Sequence, residues 1–396
     1  MVSKKIFQAA LFVILPLFLF YFGCNLFPSD SDSELPLKEA TNQADYLIVS
    51  PTDFMSDLKP FIDFKETEGL NVKSVNLDNI YDEFPIDSSK AESIRDFISY
   101  ALQFWQEPKP KYVLLVGDTD IIPTFRLPSS FAGLPSGSTT VEENFVFLDE
   151  PYSINKNEDD NIPDVALGRL PVDSPAALIN LVNKTIMFEN TSPQNYPSEL
   201  VMLVDEAENI SDFFEVWADE LIAGPLSDIN GLQRIDIREG SELHGNKNHL
   251  FERLDAGSFL FSFMGFGSAT SWTKSEFLVV ADIDVLNDTQ KPFVAIIFAG
   301  SQTFHVSNET SIIEKMLHIQ SGGAVATIAP SGLTWGSQLR VFSFEFFGNL
   351  MSKETIGDVF LTTKQKLISE LGDMDRSEHT FRRFNLLGDP SLSVKF

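Results

Sequence analysis

The chain has 396 residues, 43% hydrophobic and 22% charged, which is long enough for two domains with a substantial core and too apolar to be disordered over most of its length. Asp and Glu outnumber Lys and Arg by 57 to 29, a formal net charge of −28, so the positive field that nucleic acid or an anionic membrane surface requires is missing and no nucleic-acid partner is expected. A single cysteine excludes both an internal disulfide framework and a multi-cysteine zinc site.

The first segment reads as an address. Met1-Val2-Ser3-Lys4-Lys5 precedes a run that is apolar from Ile6 to Phe22, interrupted by Gln8 and Pro16, and lysines ahead of an apolar stretch make a signal-peptide pattern. The only cysteine follows at once in Leu19-Phe20-Tyr21-Phe22-Gly23-Cys24. A small residue directly before a cysteine resembles the bacterial lipoprotein signal, which implies a diacylglyceryl group on Cys24, cleavage before it and export to the cell envelope. Tyr21 and Phe22 are bulkier than the usual residues of that signal, and an uncleaved transmembrane anchor or ordinary cleavage are the alternatives. Residues 1–24 are therefore assigned to the signal. Residues 25–44, with Pro28-Ser29-Asp30-Ser31-Asp32-Ser33-Glu34, are assigned to a flexible polar tether, so that membrane contact is expected through the N-terminal lipid or anchor only.

From Asp45 short apolar runs alternate with longer amphipathic ones. Strands are predicted at Tyr46–Val49, Val72–Val75 and Tyr112–Val116. Between them, Asp53–Gly69 has helical spacing, with Leu58, Phe61, Ile62 and Phe64 on one face and Gly69 as a stop. Ser88 is placed to cap a helix that runs to about Trp105 on a stripe of Ile94, Phe97, Ile98, Ala101 and Leu102. This alternation implies parallel pairing with right-handed crossovers. The stretch Leu127–Asn161 is rich in Gly, Pro, Ser and acids and is expected to be a long irregular loop. Its Asn157-Glu158-Asp159-Asp160 lacks the full spacing of an EF-hand, so a solvated acidic loop is preferred over calcium binding and no cofactor is expected.

A strand is predicted at Asp164–Arg169 and a helix at Pro175–Asn190, followed by a polar break at Thr191–Ser198. The second series has strands at Leu200–Val204, Ile235–Arg238, Phe259–Phe263, Phe293–Phe298 and Ala324–Ile328. Its helices are Ser211–Ile222, one ending at His249–Leu254, and Ile312–Ile319 with Gly322-Gly323 as its stop. Two successive α/β units follow, residues 45–192 and 193–396, without a repeat of short period.

Four stretches stand out in order: Tyr112 to Pro123 (Tyr-Val-Leu-Leu-Val-Gly-Asp, then Ile-Pro), Ile162 to Pro171, Gly265 to Trp272 and Asn385 to Pro390. Together they resemble the gingipain-like cysteine peptidases, which share the caspase-type α/β/α fold. The resemblance covers about Asp45 to Phe396 and implies two caspase-like three-layer α/β/α subdomains with mainly parallel sheets, the site lying in the second. Nothing resembles the propeptide or the immunoglobulin-like tail of larger family members. The family's chemistry needs a cysteine thiolate and a histidine base just beyond the carboxyl ends of neighbouring parallel strands. Its histidine lies in Gly-His-Gly-Ser, which here reads Gly265-Phe266-Gly267-Ser268. Its cysteine follows an apolar strand five residues before a phenylalanine, and counting back from Phe304 gives Ala299. The resemblance therefore implies phenylalanine in place of the base and alanine in place of the nucleophile. The composition agrees, because the only cysteine, Cys24, lies in the targeting segment.

The resemblance also implies a residual cleft at Gly265, Gly267, Ser268, Trp272, Gly300 and Ser301, with backbone amides of Gly267 and Ala299 at the oxyanion positions and Trp272 as a groove wall or a core residue. Ser301 and His305 are spaced as a conceivable rebuilt Ser–His pair, without a Gly-x-Ser-x-Gly elbow. His244, His249, His318 and His379 show no zinc spacing. The expectation is an exported, lipid-anchored, non-catalytic family member that takes a peptide or protein ligand. A rebuilt serine hydrolase and a structural envelope protein are the alternatives.

Overall fold

Runs such as Tyr-Leu-Ile-Val, Tyr-Val-Leu-Leu-Val and Val-Ala-Ile-Ile-Phe carry no polar face, so they form strands only where both faces of a sheet are covered. The computed structural model describes residues 36–396 apart from 87–88, 129–144, 159, 197, 207–213, 289–290, 300–309, 333, 372–380 and 395–396. The first half contains β1 (Tyr46–Ser50), α1 (Thr52–Met55), α2 (Lys59–Thr67), β2 (Val72–Asn76), α3 (Leu77–Glu83), α4 (Lys90–Phe104), β3 (Tyr112–Val116), β4 (Phe125–Pro128), β5 (Phe145–Leu148), β6 (Ala166–Leu170) and α5 (Pro175–Asn190). The second contains β7 (Ser198–Val204), α6 (Phe214–Ala223), β8 (Gln233–Asp236), α7 (Lys247–Ala256), β9 (Ser258–Gly265), β10 (Ser271–Trp272), β11 (Leu278–Val279) and β12 (Phe293–Ala299). It continues through α8 (Ile312–His318), β13 (Ala324–Pro330), α9 (Gly336–Leu350), α10 (Ile356–Leu371) and β14 (Phe384–Leu387).

Ten of these strands form one sheet in the order β2-β1-β3-β6-β14-β13-β12-β9-β7-β8. Every neighbouring pair is parallel except β13–β14. The two strand series are thus joined edge to edge through the last strand of the chain and run in opposite directions. Their carboxyl ends lie at opposite edges of the sheet.

Along β12, Phe293, Ala295, Ile297 and Ala299 enter one core cluster with Leu250 and Leu254 of α7 and Ile313 and Met316 of α8. Val294, Ile296 and Phe298 enter another with Leu221 of α6 and Phe342 and Phe346 of α9. This period-two alternation with both sides buried makes the α/β/α layering expected of the caspase type. A third cluster lies beneath α3 and α4.

Three of the four motif stretches build the seam between the halves. Arg169, fully buried on β6, grips the Asp149 carboxylate through Nε (2.6 Å) and Nη2 (2.7 Å) and donates through Nη1 to the carbonyls of Gly117 (2.8 Å) and Ile122 (2.9 Å). Gly388 N–H donates to the Arg169 carbonyl at 2.7 Å. A Cβ on Gly168 would lie 2.2 Å from the Gly388 carbonyl oxygen, so only glycine allows that approach. Asp389 accepts from Tyr46 Oη (2.7 Å) and pairs with Lys65 (2.8 Å), all three side chains being buried.

Several expectations need correction. Asp53–Gly69 is two helices, not one: α2 restarts at Lys59 with Pro60 in its first turn, where a missing N–H costs nothing. The Ser88 cap lies outside the described residues, and it is Ser89 whose hydroxyl accepts from Glu92 N–H to cap α4. Leu127–Asn161 is not simply an irregular solvated loop. It contains part of the antiparallel pair β4–β5, and Asp149 and Glu150 are buried against Arg169, Lys364 and Arg382. Glu158 and Asp160 are exposed as expected, and Asp159 lies outside the described residues. The helix α3, the pair β10–β11, and α9 and α10 carried no assignment.

Candidate functional site

Strands β9 and β12 are parallel neighbours, and their register pairs Gly265 with Ala299 at the carboxyl ends. Ala299, which the resemblance assigns to the nucleophile, therefore stands beside the residue that precedes Phe266, which it assigns to the base, at the strand ends where open α/β sheets place their sites.

Gly265 is dictated by the neighbouring strand. A Cβ there would lie 2.4 Å from the Cβ of Asp205, the buried residue directly after β7. Asp205 N–H donates to the Met264 carbonyl (2.9 Å), and its carboxylate accepts from the backbone N–H of Phe266 (3.0 Å) and of Glu206 (2.9 Å). Phe266 is half-buried. Its ring meets Phe214 edge-to-face at 5.2 Å and 83°, and Phe214 in turn meets Trp217 at 5.3 Å. Phe266 thus packs on the cluster beneath α6, whereas the Ala299 methyl belongs to the cluster on the other face. The Ala299 carbonyl accepts the Thr334 hydroxyl at 2.5 Å. A phenyl and a methyl occupy the two positions, and neither moves a proton or attacks a carbonyl.

Gly267 bridges to Trp272, whose Cδ1 would lie 2.8 Å from a Cβ at 267. Trp272 is fully buried, stacked parallel on Phe263 at 4.6 Å, and its Nε1–H has no acceptor among the described residues. Of the two roles left open for it, the geometry favours a core residue under the loop. Ser268 is exposed and closes a tight turn, its hydroxyl accepting from the N–H of Ser271 (3.0 Å) and Thr270 (3.3 Å). Gly300, Ser301, His305 and Cys24 lie outside the described residues, as does His379.

The remaining histidines have local partners. His249 completes the capping box of α7 with Asn246, His318 Nε2 meets the Pro171 carbonyl at 2.9 Å, and His244 Nδ1 meets the Arg238 carbonyl at 3.1 Å. Among the described residues no group of three or more His, Cys, Asp or Glu is arranged to hold a metal ion. Among them, too, no helix is long and apolar enough to cross a membrane.

Two titratable groups hold α8 beside the site. Its first N–H, from Ile312, donates to the carbonyl of Ala269 in the 265–272 loop at 2.8 Å. Glu314 closes the capping box with Ser311, and burial pushes its carboxyl up to about 7. At the other end, Lys184 of α5 donates to the carbonyls of Leu317 (2.6 Å), Ile319 (2.8 Å) and Gly322 (3.2 Å), and burial pushes its ammonium down to about 7. Neither group, nor Asp205, was foreseen. Asp205 does have a sequence signal, an acid directly after the apolar run Leu200–Val204, the same place at which the site residues leave their strands.

The layered, mainly parallel sheet with its site at the ends of two adjacent strands defines the caspase-like class of α/β peptidase scaffolds. Residues 39–395 match the model of peptidase family C25, and the chain belongs to that family. It is 22% identical over 380 residues to gingipain R2 of Porphyromonas gingivalis, covering 91% of this chain and 47% of the relative. It is 25% identical over 269 residues to Lys-gingipain W83 of the same species, covering 63% and 13%. The chain thus spans about half or less of the curated relatives it matches. The crystal structure of the Arg-specific cysteine proteinase gingipain R superposes with a TM-score of 0.71 at 18% identity, over 90% of this chain and 79% of that one.

Proposed function

We propose that this C25 family member is a non-catalytic peptidase homologue, exported and held at a bacterial cell envelope by a lipid on Cys24, with its strand-end cleft kept for binding an extended peptide or a protein. The observation that supports the reading is the register of Gly265 with Ala299, which sets Phe266 and Ala299, the positions that the resemblance gives to base and nucleophile, at the ends of adjacent strands. Losing either partner of such a dyad costs orders of magnitude in rate, and the two losses together leave no route through an acyl-enzyme. The signal pattern of residues 1–24 supports the export and anchoring half.

Back-substitution tests the cleft. The double variant Phe266→His with Ala299→Cys is expected to gain peptide hydrolysis that iodoacetamide abolishes. A double variant that folds, by its melting curve, and stays inert would remove the retained cleft from the proposal. The anchor is tested by mass spectrometry of protein extracted from membranes. A lipidated N-terminus at Cys24 is expected, and an intact Met1 would contradict it.

A further inference from the structure

A groove of about 500 Å³ lies between α7 and the segment Val280–Asp288. These are the stretches that lead into β9 and into β12, the two strands that carry the site. Asn248, Phe251, Glu252 and Asp255 line it from one face of α7, at the i, i+3, i+4, i+7 spacing of a helical stripe. The stripe is about 10 Å long at 1.5 Å per residue. Opposite stand Val285, 54% exposed, and Leu286. The groove therefore offers an apolar surface of half-buried Phe251 and exposed Val285 above the fully buried Leu286, as long as three extended residues or two helical turns.

Its charge is one-sided. Lys247 is engaged by Asp282 at 2.5 Å, and Asp282 also accepts the Val279 N–H at 2.9 Å, so this pair ties the two walls together. Glu252 and Asp255 are exposed and have no cationic partner among the described residues. Asp255 sits in the last turn of α7, where a carboxylate opposes the helix dipole. Two exposed carboxylates and an exposed valine therefore stand together on this face, with no cation from the described residues between them.

We infer that this groove docks a cationic, partly apolar segment of a partner protein. The methylene stem of a lysine or arginine lies along Phe251, its head meets Glu252 and Asp255, and a neighbouring apolar residue covers Val285. A second copy of this chain does not fit, because two molecules that each carry a net charge of −28 repel and the groove adds three carboxylates against one ammonium. The inference does not depend on the strand-end site and holds whether or not that site is catalytic.

Fluorescence anisotropy of the full chain with a labelled twelve-residue peptide of alternating Lys and Leu tests it, at about 0.15 M salt, where diffuse charge attraction is screened over roughly 8 Å. The account expects saturable binding that weakens at least about tenfold in Glu252→Lys with Asp255→Lys, and severalfold in Val285→Ser. The same charge change placed elsewhere, Glu66→Lys with Glu107→Lys, is expected to leave binding within about twofold. If the double reversal does not fold, Glu252→Gln with Asp255→Asn carries the same test. Absence of binding by the wild-type chain, an equal loss in the distant control, or equal binding of a Glu–Leu peptide would each overturn the inference.

Discussion

Gly265 is held glycine by the Asp205 Cβ that stands 2.4 Å from where its own would be. Overpacking of a close-packed interior costs about 1–3 kcal/mol, so Gly265→Ala is expected to lower stability by that amount in chemical denaturation, with little change in m-value. Phe266→Ala, which removes a half-buried ring and its edge-to-face contact with Phe214, is expected to cost about 1–3 kcal/mol. A larger tolerance at either position would mean that the loop is looser than its contacts imply. The groups on α8 give opposite pH signs. The Glu314 carboxyl is raised in the folded state, so its contribution is present below its ordinary value and lost as pH rises through about 7. The Lys184 ammonium is lowered, so the cost of burying its charge is present below about 7 and relieved as pH rises toward its ordinary value. Urea melts at pH 5, 7 and 9 should therefore show Glu314→Gln flattening the fall of stability up to pH 7, and Lys184→Met flattening the rise above it. Phe266 and Ala299 were legible as letters, but Asp205 and Lys184 were not, because each matters through a partner far along the chain that no local pattern announces. Glu314 was not foreseen either, although Ser311 three residues before it makes a capping-box pattern.

At the scale of elements, legibility follows periodicity. The strands Tyr112–Val116 and Phe293–Phe298 were readable because uninterrupted apolar runs leave little choice, and the helix Pro175–Asn190 was readable too, its Ser174 cap with Pro175 in the first turn being seen in the structure. The pair β10–β11 was not, since its four residues are ordered by the stacking of Trp272 on Phe263 rather than by any period of their own. Leu127–Asn161 misled for a related reason. Its acids at 149 and 150 look solvated in a Pro- and Ser-rich context, yet they are the counter-ions of Arg169, Lys364 and Arg382. Arg169→Met is expected to leave the Asp149 carboxylate buried without its partner and to cost about 3–5 kcal/mol, whereas Glu158→Gln in the exposed part of the same stretch should change stability by under about 0.5 kcal/mol. Equal effects of the two substitutions on thermal melts would contradict the division of this stretch into a buried and a solvated part.

At the scale of the molecule, the sequence predicts two α/β units in succession, and the structure adds that they share one sheet across β14. That join could not be read from local pattern, because β14 is four residues long and stands far from both neighbours in the chain. The Asn385-Leu386-Leu387-Gly388-Asp389-Pro390 motif marks it all the same, since Gly388 and Asp389 tie β14 to β6, β1 and α2. A chain ended after Leu371 lacks the central strand and is expected to be insoluble or unfolded. A soluble, natively folded truncation would show that the halves hold without it.

The central claim, that a C25 scaffold here carries no peptidase chemistry, is tested most directly by incubating the purified, folded full chain with a peptide library and reading the products by mass spectrometry. The account predicts no cleavage above that of a buffer control. Reproducible cleavage that survives thiol alkylation and disappears in Ser301→Ala would contradict it and place a serine nucleophile at this site.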